Sequence, residues 1–349
     1  SFNRSNNHYI VVLSKKIMEQ SNTINIENSE KTSKQIVKTA EISLDDCGRR
    51  IDQVASKLFP EFSRSRLQQW IKEGLLTVDG AIWVSKRKVL GGERLDICAS
   101  LEAEGEWVAE EIPLNIVFED DHLLVLDKTA NFVVHPAAGN FSGTVLNALL
   151  HHCPSLNLIP RAGIVHRLDK DTTGLMVVAK TLEAHTSLVA QLQARSVKRV
   201  YQAVVNGLVT AGGMIEQPVG RHPRQRIKMA VVSDGKEART HYSVLDRFQG
   251  HSHLQLKLET GRTHQIRVHM AHLGYPLVGD SLYSGRFKIH KGASAEFIDY
   301  LRNFGRQALH AAELALVHPA TGEDISWTSP LPEDFQALLT QLNNEQSNI

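Results

Sequence analysis

The pattern of apolar positions along this chain changes from helical spacing to short strand-like runs. Between residues 42 and 100, Ile51, Val54, Ala55 and Leu58 fall at i, i+3, i+4 and i+7, one face of a helix. Pro60 ends that helix. Ser63 suits the N-cap of a second helix, which carries Leu67, Trp70 and Ile71 and stops at Gly74. Leu75–Val78, the Asp79-Gly80 turn and Ala81–Val84 predict a hairpin. Gly91-Gly92 then turns into a last strand, Arg94–Cys98.

From Pro113 onward strands dominate. Strands are predicted at 116–119, 123–127, 175–179, 201–205, 241–247, 253–258, 309–317 and 324–327. Helices are predicted at 144–152, 182–195, 263–273, 295–302 and 332–342. Strands outnumber helices and do not alternate strictly with them. This favours an α+β domain over 113–342, a mostly antiparallel or mixed sheet flanked by helices, over a doubly wound fold. Residues 42–100 form a smaller α+β domain. An acidic linker, 101–112, holds five Glu and no cation. Residues 1–40 are rich in Ser, Asn, Lys and Glu and are expected to be a disordered tail, with a short second tail at 343–349. The apolar patch Tyr9–Leu13 is too short for a signal-peptide core. The first Met is Met18, where translation is expected to start, residues 1–17 then lying outside the natural chain.

Composition adds exclusions. Apolar residues make up 42% of 349, enough for a core. No apolar run approaches the roughly 18 residues of a membrane span. Three dispersed cysteines, Cys47, Cys98 and Cys153, exclude a disulfide framework and a cysteine zinc site and suit a reducing cytoplasm. The net charge of +1 argues by itself against a polyanionic partner, but it hides a distribution. Residues 101–159 sum to −8, residues 160–290 to +10 and residues 291–349 to −5. A +10 block in a neutral protein is a local electrostatic footprint.

Four segments could carry chemistry. In His166–Gly174, Asp169 lies between Arg167 and Lys170, which favour its ionised form. It could serve as nucleophile, general base or metal ligand; equally, Asp169, Asp171, Thr172 and Thr173 could be turn formers. In Glu259–Gly274, strand, turn and helix follow one another, with Arg262 at the turn and Arg267 inside the helix. Either could meet a carboxylate or a phosphate. His264, His269 and His272 are offset by five and three, not the four of a zinc-binding pair. In Lys198–Val205, Arg199 could contact phosphate and Tyr201 could be an aromatic platform or a core residue. Arg221, Arg224, Arg226 and Lys228 form a basic loop with no neighbouring acid. In the first domain, Arg64, Arg66 and Lys72 share the second helix, and Lys86-Arg87-Lys88 follows the hairpin. No nucleotide-binding glycine loop and no GxSxG elbow is present.

Taken together, residues 42–342 resemble the pseudouridine synthases of the RluA type. His166–Leu175 resembles the signature HRLD-x-x-T-x-G-L. Arg199-Val200-Tyr201-Gln202-Ala203 resembles the basic-x-Tyr-x-Ala motif, and Thr260–Arg267 the third motif. Gln307–Ala311 with His318-Pro319 resembles the closing strand, and His135–Asn140 a further loop. Arg50–Ile97, with Ser63-Arg64-Ser65-Arg66, resembles an S4 RNA-binding domain. The resemblance implies isomerisation of uridine to pseudouridine in large-subunit (23S) ribosomal RNA, without cofactor or metal, by a cytoplasmic monomer supporting ribosome assembly. It implies Asp169 as the catalytic aspartate, Arg267 as its partner and Tyr201 as a catalytic residue stacked on a flipped base and assisting proton removal from C5. Arg167 would fill the space that base leaves. Arg199, Arg221, Arg224, Arg226, Lys228, Arg262, Arg64, Arg66 and Lys72 would bind the RNA.

Overall fold

The computed structural model describes residues 34–60, 62, 64–101, 107–136, 141–285 and 289–347. Tyr9–Leu13, Met18, the Ser63 cap and Ala137–Asn140 lie outside the described residues.

The smaller domain is built from β1 (Lys34–Glu41), α1 (Ile51–Leu58), α2 (Arg64–Glu73), β2 (Leu76–Val78) and β3 (Arg94–Leu101). Its antiparallel sheet runs β1-β3-β2. The expected tail therefore ends earlier than residue 40: Lys34–Glu41 pairs along the whole of β3. Ile36 reaches the core with Val54, Leu67, Ile71 and Leu95, while Val37 points outward. The expected hairpin forms only its turn. Val78 and Ala81 exchange backbone bonds of 2.9 Å, with Asp79 and Gly80 both left-handed. Beyond Ala81 there is no strand, and β2 pairs with β3 instead. Ile82 and Val84 are exposed, so no buried face holds a second strand in register.

The larger domain follows in the order β4 (Ile116–Glu119), β5 (Leu123–Lys128), α3 (Val145–His152), β6 (Thr173–Ala179), α4 (Leu182–Gln193), β7 (Lys198–Asn206), β8 (Gly213–Glu216), β9 (Val219–Arg221) and β10 (Met229–Val231). It continues with β11 (Arg239–Phe248), β12 (His251–Leu258), α5 (Gln265–His272), α6 (Ala295–Asn303), β13 (Leu309–Val317), β14 (Asp324–Thr328) and α7 (Glu333–Ser347). Nine strands form one mixed sheet in the order β4-β5-β6-β13-β7-β12-β11-β8, with β14 also on β13. Only β13 and β6 run parallel. Both faces of the sheet are covered. Leu124, Leu126, Met176 and Val178 pack on one side with α3, while Leu123, Val125, Val177 and Ala179 pack on the other with α4. This is why β5 and β6 read as continuous apolar runs rather than alternating ones.

Two expected boundaries move. Part of the acidic linker belongs to the larger domain: Asn147 of α3 donates to Val108 O (2.8 Å), and Glu110 N donates to Asn147 O (3.0 Å). The expected tail from residue 343 is instead the end of α7. Glu345 accepts 2.7 Å bonds from Ser294 N and Oγ at the start of α6.

Gly174 joins the Asp169 loop to the centre of the sheet. Its φ is +113°, and a Cβ there would overlap the Ala311 backbone of β13. Gly174→Ala should force β6 and β13 apart and cost more than about 2 kcal/mol, read by urea unfolding. An unchanged midpoint would contradict this packing.

Candidate active site

The loop from His166 to Thr172 would be a free polar segment without its braces. Thr172 N donates to Asp169 O (3.1 Å), closing a turn around the carboxylate. The buried Lys128 ammonium donates to three carbonyls, Thr129 O (2.8 Å), Phe132 O (3.0 Å) and Lys170 O (2.8 Å). Burial lowers its pKa to about 7, against the opposing charges of Asp171 and Asp169. From the other side Arg306 donates to Asp171 O (3.2 Å) and is itself held by Asp334 (2.6 and 2.8 Å). Gln307 donates to Thr172 Oγ1 (3.1 Å). Each residue after Asp169 thus has a fixed partner.

Arg267 arrives from α5. The turn before that helix is locked by Gln265, whose Oε1 accepts from Thr260 Oγ1 (2.7 Å) and Arg262 N (3.0 Å). Gln265 Nε2 donates to Arg239 O (2.9 Å). These bonds give a local reason for a Thr and a Gln five residues apart. Arg267 Nη1 donates to Asp169 Oδ2 at 3.0 Å. Its other two nitrogens hold Asp280 through Nε (2.7 Å) and Nη2 (3.0 Å). Asp280 is buried and also accepts from Leu282 N and Tyr283 N. Burial opposes the charge on Arg267, but Asp280 and then Asp169 outweigh it and raise its pKa further. Asp169 Oδ1 faces His264 Nε2 at 3.8 Å. The His264 ring is fixed by Tyr283 Oη, 2.7 Å from Nδ1, and burial lowers its pKa.

Asp169 opens into a cavity of about 700 Å³. Among the described residues its walls carry six arginines, 161, 167, 195, 199, 262 and 267, against two carboxylates, Asp169 and Glu259. A wall of that sign suits a polyanion. Tyr201 lines it from β7, nearly buried; burial raises its phenol pKa. Arg199 is buried behind it, donates to Glu259 O (3.1 Å) and sits against Gly261, where a Cβ would push the guanidinium aside. Burial lowers its pKa too. Asp169, Tyr201, Arg267, Arg167, Arg199 and Arg262 therefore share one cavity.

Other expected contacts stand elsewhere. Arg221, Arg224, Arg226 and Lys228 belong to the β9–β10 hairpin, whose tip is closed by Arg221 donating to Arg226 O (2.9 Å). They do not line the cavity. The hairpin root is tied to the site, because Met229 N donates to Tyr283 Oη (2.9 Å). Arg64 is not a free cation. It shares the buried Asp52 with Arg50 and Gln68, at 2.8, 2.9 and 2.6 Å. Burial alone would raise the Asp52 pKa, but those bonds lower it. Arg66 and Lys72 lie on the same helix, Lys72 exposed. The helix histidines diverge: His269 bonds Thr240 Oγ1 and Gln217 O, both 2.9 Å, away from His264.

Sequence reading misses Asp280, Lys128, Arg306, Arg161 and Arg195. Lys128 had a signal, a lone cation ending a buried strand. Asp280 had a weaker one, an acid after the apolar Leu277-Val278. No helix among the described residues is long and apolar enough to cross a membrane.

Comparison with known proteins places these features. Residues 122–272 match the RNA pseudouridylate synthase family model, and residues 49–95 match the S4 domain model. The chain is 60% identical over 314 residues to the ribosomal large subunit pseudouridine synthase D of Pseudomonas aeruginosa, covering 90% of this chain and 98% of that protein. It is 54% identical to the protein of the same name from Pasteurella multocida, covering 88% and 95%. The solved human RNA pseudouridylate synthase domain containing 4 aligns with a TM-score of 0.52 and 25% identity, over 66% of this chain and 93% of that one.

His166 supplies a pH test of the site wall. Val177 N donates to its Nε2 at 3.0 Å, so that nitrogen must stay unprotonated. Burial, and secondarily the Arg199 charge, lowers its pKa to about 3. Between the ordinary value near 6.5 and about 3, the unfolded chain binds a proton that the folded chain refuses. Stability is therefore complete above about pH 6.5 and falls through that window, by at most about 1.4 kcal/mol per pH unit from this group. Urea titrations from pH 7 to 4 should show this decline, and His166→Asn should make it shallower, the buried His251 and its like supplying the remainder.

Proposed function

Because the chain belongs to the RNA pseudouridylate synthase family, we propose that it isomerises uridines of large-subunit ribosomal RNA to pseudouridine, with Asp169 as the catalytic carboxylate. The observation that carries this reading is the geometry of that carboxylate. Arg267 holds one oxygen at 3.0 Å, while Oδ1 carries no hydrogen bond and faces His264 at 3.8 Å, inside a cavity walled by arginines. A carboxylate oriented among arginines suits attack on a flipped nucleoside.

The reaction exchanges one bond for another within the nucleotide. The N1–C1′ bond breaks, the uracil rotates in place, and C5 joins C1′. The C5 proton leaves and a proton arrives at N1, so the balance needs no redox partner. Asp169 acts at C1′ or on the ring. Tyr201 packs against the base and assists removal of the C5 proton; burial raises its phenol pKa. Arg167 is exposed at the cavity and fills the place the base vacates. Flipping costs a few kcal/mol and is cheapest in a loop, so the substrate is a stem-loop. The S4 domain and the β9–β10 hairpin hold the surrounding RNA. The protein works as a cytoplasmic monomer on this RNA or on the assembling large subunit.

Asp169→Asn should abolish pseudouridine formation while leaving RNA affinity within about twofold, measured by carbodiimide mapping and filter binding. Asp280→Asn, which releases Arg267 without touching the substrate, should lower kcat by about 100-fold with little change in KM. Retained turnover in Asp169→Asn would overturn the assignment. A large-subunit RNA map identical in cells with and without the gene would overturn the substrate.

A further inference from the structure

Four non-glycine residues at or beside the cavity hold a left-handed backbone: Arg161 (φ 53°), Ala162 (φ 51°), Arg195 (φ 60°) and His264 (φ 56°). The other two among the described residues are Asp79 and Asn131, residue types that tolerate this region. Arg161 and Ala162 are consecutive, and Gly163 follows at φ 78°. Three left-handed residues in a row are disfavoured, so the surroundings must impose them.

They do so from both ends. Ala162 N donates to Ile159 O (3.0 Å), and Ile164 N to Arg161 O (3.1 Å). Ile159, Ala162 and Ile164 all belong to the core cluster under the sheet. Ile164 bridges Val178 of β6, and Gly163 lies so close that a Cβ would overlap Ala179 O. The turn is thus clamped to the strand that follows the Asp169 loop. Ala162, Gly163 and Ile164 are buried, while Arg161 is exposed and lines the cavity.

The other cavity arginines are mostly committed. Arg195 pairs with Glu237 (2.7 Å), Arg199 with Glu259 O, Arg262 with Glu237 O (2.9 Å), and Arg267 with Asp169 and Asp280. The Arg161 and Arg167 side chains make no hydrogen bond or ion pair among the described residues. Arg167 has a place in the base stack. We propose that Arg161, presented by this strained turn, binds a backbone phosphate of the RNA beside the flipped uridine. This rests on the RNA-modifying reading of the site. A phosphate contact needs charge and reach rather than a forked donor, so Lys would serve in place of Arg. The strain buys rigidity at the lip, where a mobile cation would lose more entropy on binding.

The test uses the full chain and a large-subunit RNA transcript, comparing the unaltered protein with Arg161→Gln and Arg161→Lys. Arg161→Gln should raise KM about tenfold with kcat within about twofold. The slope of log(kcat/KM) against log salt should become shallower by about 0.7–0.9, one phosphate contact. Arg161→Lys should restore both. A melting temperature within about 2 °C of the unaltered protein shows that the turn itself is intact. A KM and salt slope unchanged in Arg161→Gln, with the unaltered protein active, overturns the Arg161 contact alone. If the unaltered protein makes no pseudouridine and does not bind the transcript, the RNA-modifying reading fails and the Arg161 contact with it.

Discussion

A guanidinium as buried as that of Arg267 cannot stand beside the Asp169 carboxylate unless its remaining donors are satisfied. Asp280 meets that requirement. It takes two of the three Arg267 nitrogens and is itself held by two backbone amides, so the guanidinium has one direction left, toward Asp169. A buried ion pair gains little stability over apolar packing, but loss of one partner is strongly destabilising. The arrangement therefore yields orientation more than stability. One oxygen of Asp169 is held by Arg267, and the other faces His264 at 3.8 Å without a hydrogen bond.

The rest of the domain meets the demands of that contact. Asp169 sits where the parallel pair β6–β13 lies at the centre of the sheet, and Arg267 sits on the helix that follows β12. The two residues are 98 positions apart, so the sheet and not the local chain sets their separation. Lys128 and Arg306 clamp carbonyls of the Asp169 loop from two directions, and Gln265 locks the turn before Arg267. Both halves of the contact rest on buried, fully bonded polar groups, which hold geometry where apolar packing alone would leave slack.

Electrostatics explains how a chain with a net charge of +1 can hold an anionic substrate. Six arginines gather at one cavity, and several already have carboxylate or carbonyl partners. Glu237 and Glu259 share Arg195 and Arg239, and so keep neighbouring arginines from repelling one another before RNA arrives. A site prepared in this way loses less order on binding than one whose cations are free.

Much of the fold was legible before any coordinates. The helical period through Ile51–Leu58, the apolar runs of β5 and β6, and the strand-turn-helix at Thr260–Arg267 are local patterns, and local patterns follow from local sterics and burial. The misreadings share one cause. Lys34–Glu41 looked like tail because a polar edge strand takes its order from its partner β3, and the second half of the expected hairpin failed because Ile82 and Val84 had no face to bury. Residues 343–347 looked like tail although Glu345 caps a distant helix. In the same way, the sequence alone marked Asp169, Tyr201 and Arg267 as candidates, since charge and motif are written along the chain. It could not show Asp280 behind Arg267, Arg64 committed to Asp52, or Arg161 turned to the cavity. Those depend on contacts between residues far apart in order, and only closing the sheet brings them within bonding distance.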